Sequence, residues 1–424
     1  MKKPCPYRRP FQNLGSRQWQ NLGLVALLTF YMTRMGMETA RNNLFLAIGG
    51  DYLAFWSAGH IANQYGYGAV YDMDLMQEDQ ASIVSSLKPS LVPVSPMQFL
   101  YLPVFVLPFQ ILARLPLKWS FWTWSLLCLG VFSLYIRFFS RSTALGSWSG
   151  HLLAMMLLSY PAALNLIDGQ VSFFLAICIG EFLRHQMAGR PFWAGAWLGG
   201  LLLKPQTLIL ILPAMVIQRK WKALLGFVAV ASLLLALSVG LAGVQGISRL
   251  VNLWIGCSTG TGWLGNNPKY MTNWRMVGIH LSHWIPPTPA WIFAYMSMVV
   301  MLGCSLLLWR RPRPPDHPSF AVAVLGTLAA TAAISWHTHV HMLVMLIPPL
   351  AYLYARGELP ERMLSVWTFA LPLAAFVGLL VALLTQKGVF ALYPGASGLP
   401  EGLAGLLLNL AILLWAFQRL QNER

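Results

Sequence analysis

Apolar runs separated by short polar breaks fill most of the chain, and stretches such as residues 223–241 and 291–309 contain no charged side chain. A helix that crosses a bilayer needs roughly 20 apolar residues, and runs of this kind predict helices around residues 22–33, 290–309, 319–336, 340–355, 363–384 and 403–418, with another from about 221 to 243. Between residues 98 and 139 the pattern is mixed. Residues 99–112 are apolar but interrupted by Pro103 and Pro108, whereas 119–138 reads as a better helix, so this region is expected to hold one crossing and a short or re-entrant piece. Two hairpins with short arms follow, over residues 152–184 and 192–218, with tips at Asp168-Gly169-Gln170 and Lys204-Pro205-Gln206. The pattern predicts an all-α polytopic membrane protein of about twelve helices.

Composition points the same way. The 424 residues are 57% hydrophobic and only 10% charged, too little charge to cover a soluble domain of this length. A net charge of +16 would fit a nucleic-acid binder if Lys and Arg gathered on one face or in one tail. Here they form small clusters between apolar segments, among them Arg137 with Arg141, Arg219 with Lys220 and Lys222, and Arg310 with Arg311 and Arg313. That is the signature of cytoplasmic loops, so no nucleic-acid partner is expected. The five Cys have no metal or redox spacing, which predicts no disulfide framework.

With the basic clusters inside, the first helix carries the chain outward. Residues 34–97 then form a long first extracytoplasmic loop, and Asp51, both hairpin tips, a second loop over 244–287 and the run His337-Thr338-His339-Val340-His341 fall on one side. The expected divisions are a cytoplasmic tail (1–19, too polar for an ordinary cleaved signal), a main membrane module (20–243), the outer loop 244–287 and C-terminal transmembrane helices (288–424).

Several constellations could carry chemistry. The block from Gly49 to Gly59 holds Asp51, Tyr52 and Trp56. A carboxylate held at the membrane surface between apolar flanks suits a general base, although Asp51 could equally cap a helix beginning near Tyr52. Asp72, followed by Asp74, Glu78 and Asp79, reads as a solvated helix start. Lys204 lies in an apolar hairpin, a position that is costly unless it meets an anion or lines a wet cavity; snorkelling to the interface is the plainer account. At the other tip, turn geometry explains Asp168 and Gly169 but not Gln170. His337 and His341 would share a face if helical, a metal-ligand spacing, yet no acidic or Cys partner stands beside them; contact with phosphate or sugar is a further role for the three His. Asn266, Asn267, Lys269, Tyr270, Asn273, Trp274 and Arg275 mix amides and aromatics as sugar-binding surfaces do, and as any ordered loop at a membrane surface does.

The order G-G-D-Y-x-x-F-W-x-A-G, then Y-D, then G-Q after an apolar arm, then an apolar run ending in K-P before R-K-W-K, resembles glycosyltransferase family 87 of the GT-C superfamily. The motifs span about residues 20–220, with the C-terminal half alike only in hydropathy. That family includes polyprenyl-phosphate-mannose-dependent mannosyltransferases. The resemblance implies a GT-C-like bundle whose catalytic module is residues 20–243. It also implies Asp51 as general base, Lys204 as a phosphate contact, and transfer of a sugar with inversion from a polyprenyl-phosphate donor to a lipid or glycan acceptor outside the cell membrane. Gln170, Tyr52, Trp56, His337, His339 and His341 are the expected substrate contacts. No P-loop or Gly-rich dinucleotide motif is present, and no cofactor or metal is expected. A transporter or glycolipid flippase is the rival reading. It predicts repeated halves with matching broken helices, which the sequence does not display.

Overall fold

The apolar run 223–241 lies inside a 39-residue helix, Trp221–Thr259, in a computed structural model of the chain. That helix leaves Leu225, Val228, Leu233, Leu235 and Leu237 exposed, a row that water would not tolerate and lipid would cover. The structure describes residues 14–40, 45, 48–87, 96–143, 150–259, 267–389 and 392–422; these are helices and connecting turns, with no strand among them. Cys5, Asn266 and most of the tail 1–19 lie outside the described residues.

Five helices in this set are long and apolar enough to cross a membrane: Leu117–Ser142, Trp221–Thr259, Pro287–Leu307, Glu361–Gln386 and Ala396–Gln421. A sixth arises if Gly150–Leu157 and Tyr160–Ile167, bent by 54°, act as one span. Against an expectation of about twelve, the difference lies in the short arms. Pro191–Leu203, Pro205–Ile217, Pro318–Ile334 and Val340–Ala355 are apolar helices of 10–17 residues, shorter than a full crossing. One of them, Pro318–Ile334, is buried all round and forms the centre of the bundle, its Ala and Gly admitting the last helix closely.

The predicted outer loop 34–97 is mostly helical. The first helix runs from Leu14 to Ala40, well beyond 22–33, and is followed by Gly50–Tyr65, a 3₁₀ turn at Tyr67–Tyr71, and Met73–Leu87. Asp72 starts the last of these as expected: its carboxylate accepts from the amides of Asp74 and Leu75 at 3.2 and 3.4 Å. The second predicted loop, 244–287, is also helical at both ends, since Trp221–Thr259 continues past Gly243 (φ 67°) and Trp274–Leu281 is capped by Asn273. The division at 243/244 thus falls at a break within a helix. Cys128, Cys178, Cys257 and Cys304 are free thiols.

The hairpin bearing Lys204 is locked against the long helix by close backbone approach. A Cβ on Gly195 would sit 1.7 Å from the Ala223 carbonyl oxygen, and one on Gly226 would sit 2.0 Å from that of Phe192. Only glycine at both positions lets Pro191–Gly199 cross Trp221–Thr259 at this distance.

Candidate active site

The tip Asp168-Gly169-Gln170 completes the start of the helix that carries Asp51. A helix N-terminus leaves backbone N–H groups without partners. Here the Tyr52 amide donates to the Asp168 carbonyl at 3.0 Å and the Gly49 amide to that of Ile167 at 2.7 Å. Gly169 has φ +70°, and a Cβ on it would lie 2.6 Å from the Tyr52 Cβ. The tip can dock only because this residue is glycine. Trp124 Nε1 donates to the Gly169 carbonyl at 3.0 Å and fixes the other side.

Asp51 is therefore not the cap: the N-cap is Gly49, and Asp51 occupies the first turn. Its Oδ2 accepts from Gln170 Nε2 at 2.6 Å. Gln170 uses its other end to accept from Lys204 Nζ at 3.0 Å, and Lys204 donates also to His341 Nε2 at 2.9 Å. One amide thus spans a carboxylate and an ammonium, each satisfied, with Gln170, Lys204 and His341 buried. Burial pulls Lys204 down to about 7, with the Asp51 charge opposing that fall. Burial also holds the His341 and His337 imidazoles well below the usual histidine range, Lys204 adding to the effect.

The three His do not share a helix. Helix Pro318–Ile334 ends at Ser335, and the chain is extended at His339 (φ −97°, ψ 162°) before a 3₁₀ helix begins at Val340. Extended backbone turns alternate side chains to one face, which brings His337 and His339 together, and the first turn of the 3₁₀ helix carries His341 into the same cavity, with successive ring centroids 5.0 and 5.9 Å apart. The spacing that suggested a helical metal pair does not apply. The His339 Nδ1–H donates to the Tyr270 carbonyl at 3.3 Å, which leaves Nε2 as a free acceptor. Arg275 donates to the Trp336 carbonyl at 3.3 Å and lies 4.6 Å over its ring.

These groups surround a cavity of about 660 Å³. It draws Asp51 and Lys204 from the main module, Asn267, Tyr270 and Arg275 from the second predicted loop, and the His run and Glu401 from the C-terminal helices. The elements expected on one side do meet in one place, but the lining is not confined to residues 20–243. Tyr52 and Trp56, expected to touch substrate, are outside this lining. The Tyr52 hydroxyl bonds Ser120 at 2.6 Å in the core, while Trp56 Nε1 donates to the Leu115 carbonyl at 3.1 Å and its ring stacks on His60. Asn165 is likewise internal, its Oδ1 accepting from the Ser172 amide at 2.8 Å.

Donor atoms of Asp51, Asp168 and His341 all lie within 4.8 Å of one another, a spacing that could hold a divalent ion. His341 Nε2 is already committed to Lys204, so an ion using that nitrogen would have to displace the ammonium. As it stands, the cluster carries its own cation.

A family model described as glycosyltransferase family 87 matches residues 99–335, more than half of the chain. The chain belongs to glycosyltransferase family 87. No curated protein matches it. This family 87 member is accordingly a membrane glycosyltransferase, and its multi-pass character follows from the apolar helices above. The match extends further into the C-terminal half than the motifs over 20–220 and includes Gln170, Lys204 and Arg275. It begins after Asp51 and ends before His337, so those residues join the site through the cavity geometry.

Sequence reasoning passed over Arg34, Tyr101 and Glu401, all of which line the cavity. Glu401 had a legible signal: a lone carboxylate at the start of the last apolar run. Arg34 at the end of the first apolar run and Tyr101 in the proline-broken stretch had none.

Proposed function

We propose that this glycosyltransferase moves a hexose, mannose or another, from a polyprenyl-phosphate donor to an extracytoplasmic lipid or glycan hydroxyl at the cell membrane, with inversion at the anomeric carbon. The observation that carries this reading is the chain Asp51–Gln170–Lys204–His341, which sets a carboxylate and a cation in one cavity. Such a transfer makes two demands: a base for the acceptor hydroxyl and positive charge for the departing phosphate.

In the proposed reaction the acceptor oxygen attacks C1 from the face opposite the phosphate, and its proton passes to the Asp51 carboxylate. The C1–O bond to phosphate breaks as the new glycosidic bond forms. The electron pair leaves with the polyprenyl monophosphate, whose charge Lys204 stabilises, helped by Arg275 and by the N–H groups of the His337 and His341 imidazoles. Gln170 holds base and cation in register.

The test is transfer of radiolabelled sugar from a panel of polyprenyl-phosphate sugars by purified protein and its Asp51→Asn variant. Asp51→Asn is expected to fold and to lose about 10²- to 10⁴-fold in rate. Unchanged transfer would remove Asp51 from the chemistry, and labelled lipid crossing vesicles without transfer would favour the flippase.

A further inference from the structure

The cavity has a second chemical face. Glu401, in the first turn of helix Leu399–Gln421, and Asp168 both line it beside Asp51, as do Tyr160 and Arg34. The Tyr160 hydroxyl donates to Glu401 Oε2 at 3.3 Å. This aims the carboxyl group, which has no other hydrogen bond among the described residues. Burial holds the Asp168 carboxyl well above the usual carboxylate range, the Asp51 charge adding to the rise and Arg34 opposing it. Carboxyl groups accept hydrogen bonds and, where protonated, offer one, and vicinal hydroxyls, which both donate and accept, suit a cluster of them. The burial and the Asp51 charge that hold Asp168 up act equally against a phosphate or uronate brought here.

We infer that Glu401, Asp168 and Tyr160 form the acceptor subsite and select an uncharged polyhydroxy acceptor, an unphosphorylated sugar ring or comparable polyol. Identification of that ligand as an acceptor rests on the transfer reaction proposed above. The two ends then divide the labour: Lys204 and the imidazoles receive the anionic donor, Glu401 and Tyr160 the neutral acceptor, and Asp168, within 4.8 Å of both Asp51 and His341, lies where they meet. The acceptor hydroxyl lies against Asp51, which stands between them. Glu401 thereby acts as a binding and positioning residue, and its loss is expected in acceptor KM and not in donor KM.

The experiment uses the full-length protein in lipid nanodiscs. Tryptophan fluorescence reads binding of hexyl mannoside, glucoside and galactoside, and of hexyl glucuronide and hexyl mannoside 6-phosphate as anionic probes, to the wild type, Glu401→Gln and Tyr160→Phe. At least one neutral glycoside is expected to bind the wild type and to bind Glu401→Gln about tenfold more weakly, with the Tyr160→Phe loss smaller. The anionic probes are expected not to compete. Equal binding of neutral and anionic probes, no binding of any neutral glycoside, or full binding by Glu401→Gln overturns the inference. Glu401→Asp, which keeps the carboxyl group, should recover part of the affinity and separates this role from a folding defect. A wild type that binds neutral glycosides through Glu401 but transfers no sugar from any polyprenyl-phosphate donor would overturn the transfer reaction and leave the subsite standing.

Discussion

The Tyr52 amide donates to the carbonyl of Asp168 at 3.0 Å, so the turn that presents Gln170 also fixes the first turn of the helix that presents Asp51. Two sequence segments more than a hundred residues apart, at positions 51 and 168, are thereby one rigid unit. Backbone hydrogen bonds at a helix start hold geometry more tightly than side-chain contacts alone, because they replace the partners that those N–H groups would otherwise lack.

That unit makes Gln170→Ala a clean probe. The substitution removes the bonds to Asp51 and Lys204 and leaves the backbone docking of the tip in place. A hydrogen bond to a charged group contributes about 1.5–3 kcal/mol, so kcat/KM is expected to fall about 10- to 100-fold. The loss also leaves buried Lys204 short of a partner, so the unfolding temperature should fall modestly while the fold holds. Steady-state transfer with thermal unfolding of the same preparation checks both, and a large drop in melting temperature with intact turnover would make Gln170 a packing residue.

Tyr52 supplies the contrasting case. Its ring is fully buried between Phe109 and Phe121, and its hydroxyl bonds Ser120. Tyr52→Phe leaves the Ser120 hydroxyl without its partner, at a cost of about 1–2 kcal/mol in stability, while donor and acceptor KM should stay within about twofold of wild type. Denaturation midpoints and a kinetic comparison test this, and a selective rise in either KM would return Tyr52 to the substrate.

These cases mark where the sequence was legible. Hydropathy located the long helices and both hairpin tips, since burial in lipid and the cost of an unpaired lysine act on local sequence. The motif order led to Asp51, Gln170 and Lys204, which converge on the cavity. What stayed hidden depended on tertiary contact. Whether Tyr52 faces substrate or core is decided by Ser120 and Phe121 on another helix, and whether His337 to His341 alternate or spiral is decided by pairing with the segment before Trp274: Thr272 donates to the Thr338 carbonyl at 2.8 Å and Asn273 to that of Ser335 at 2.7 Å. Glu401 joins Asp51 only once the last helix has packed on the bundle. Polar loops were over-assigned for a related reason: residues 50–87 are too polar to resemble a span, yet they form short helices that pack beside the cavity.

Lys204 gives the pH dependence. Its ammonium is buried at the hairpin tip with a pKa lowered to about 7, so the cation is present below that value and lost as pH rises through it. A phosphate in the cavity favours the charged form, and binding must supply that protonation at higher pH. The donor kcat/KM is therefore expected to decline as pH climbs above about 7, steepening toward about tenfold per unit once the free protein is mostly neutral at this site. Arg stays protonated throughout this range, so Lys204→Arg should flatten the alkaline limb even though its planar head fits the space between Gln170 and His341 less well and lowers the rate. Lys204→Met should raise donor KM at every pH and remove the same limb. Measured profiles of kcat/KM against pH for the three proteins decide the matter: an alkaline limb that persists unchanged in Lys204→Met belongs to another group and would take the donor phosphate away from Lys204.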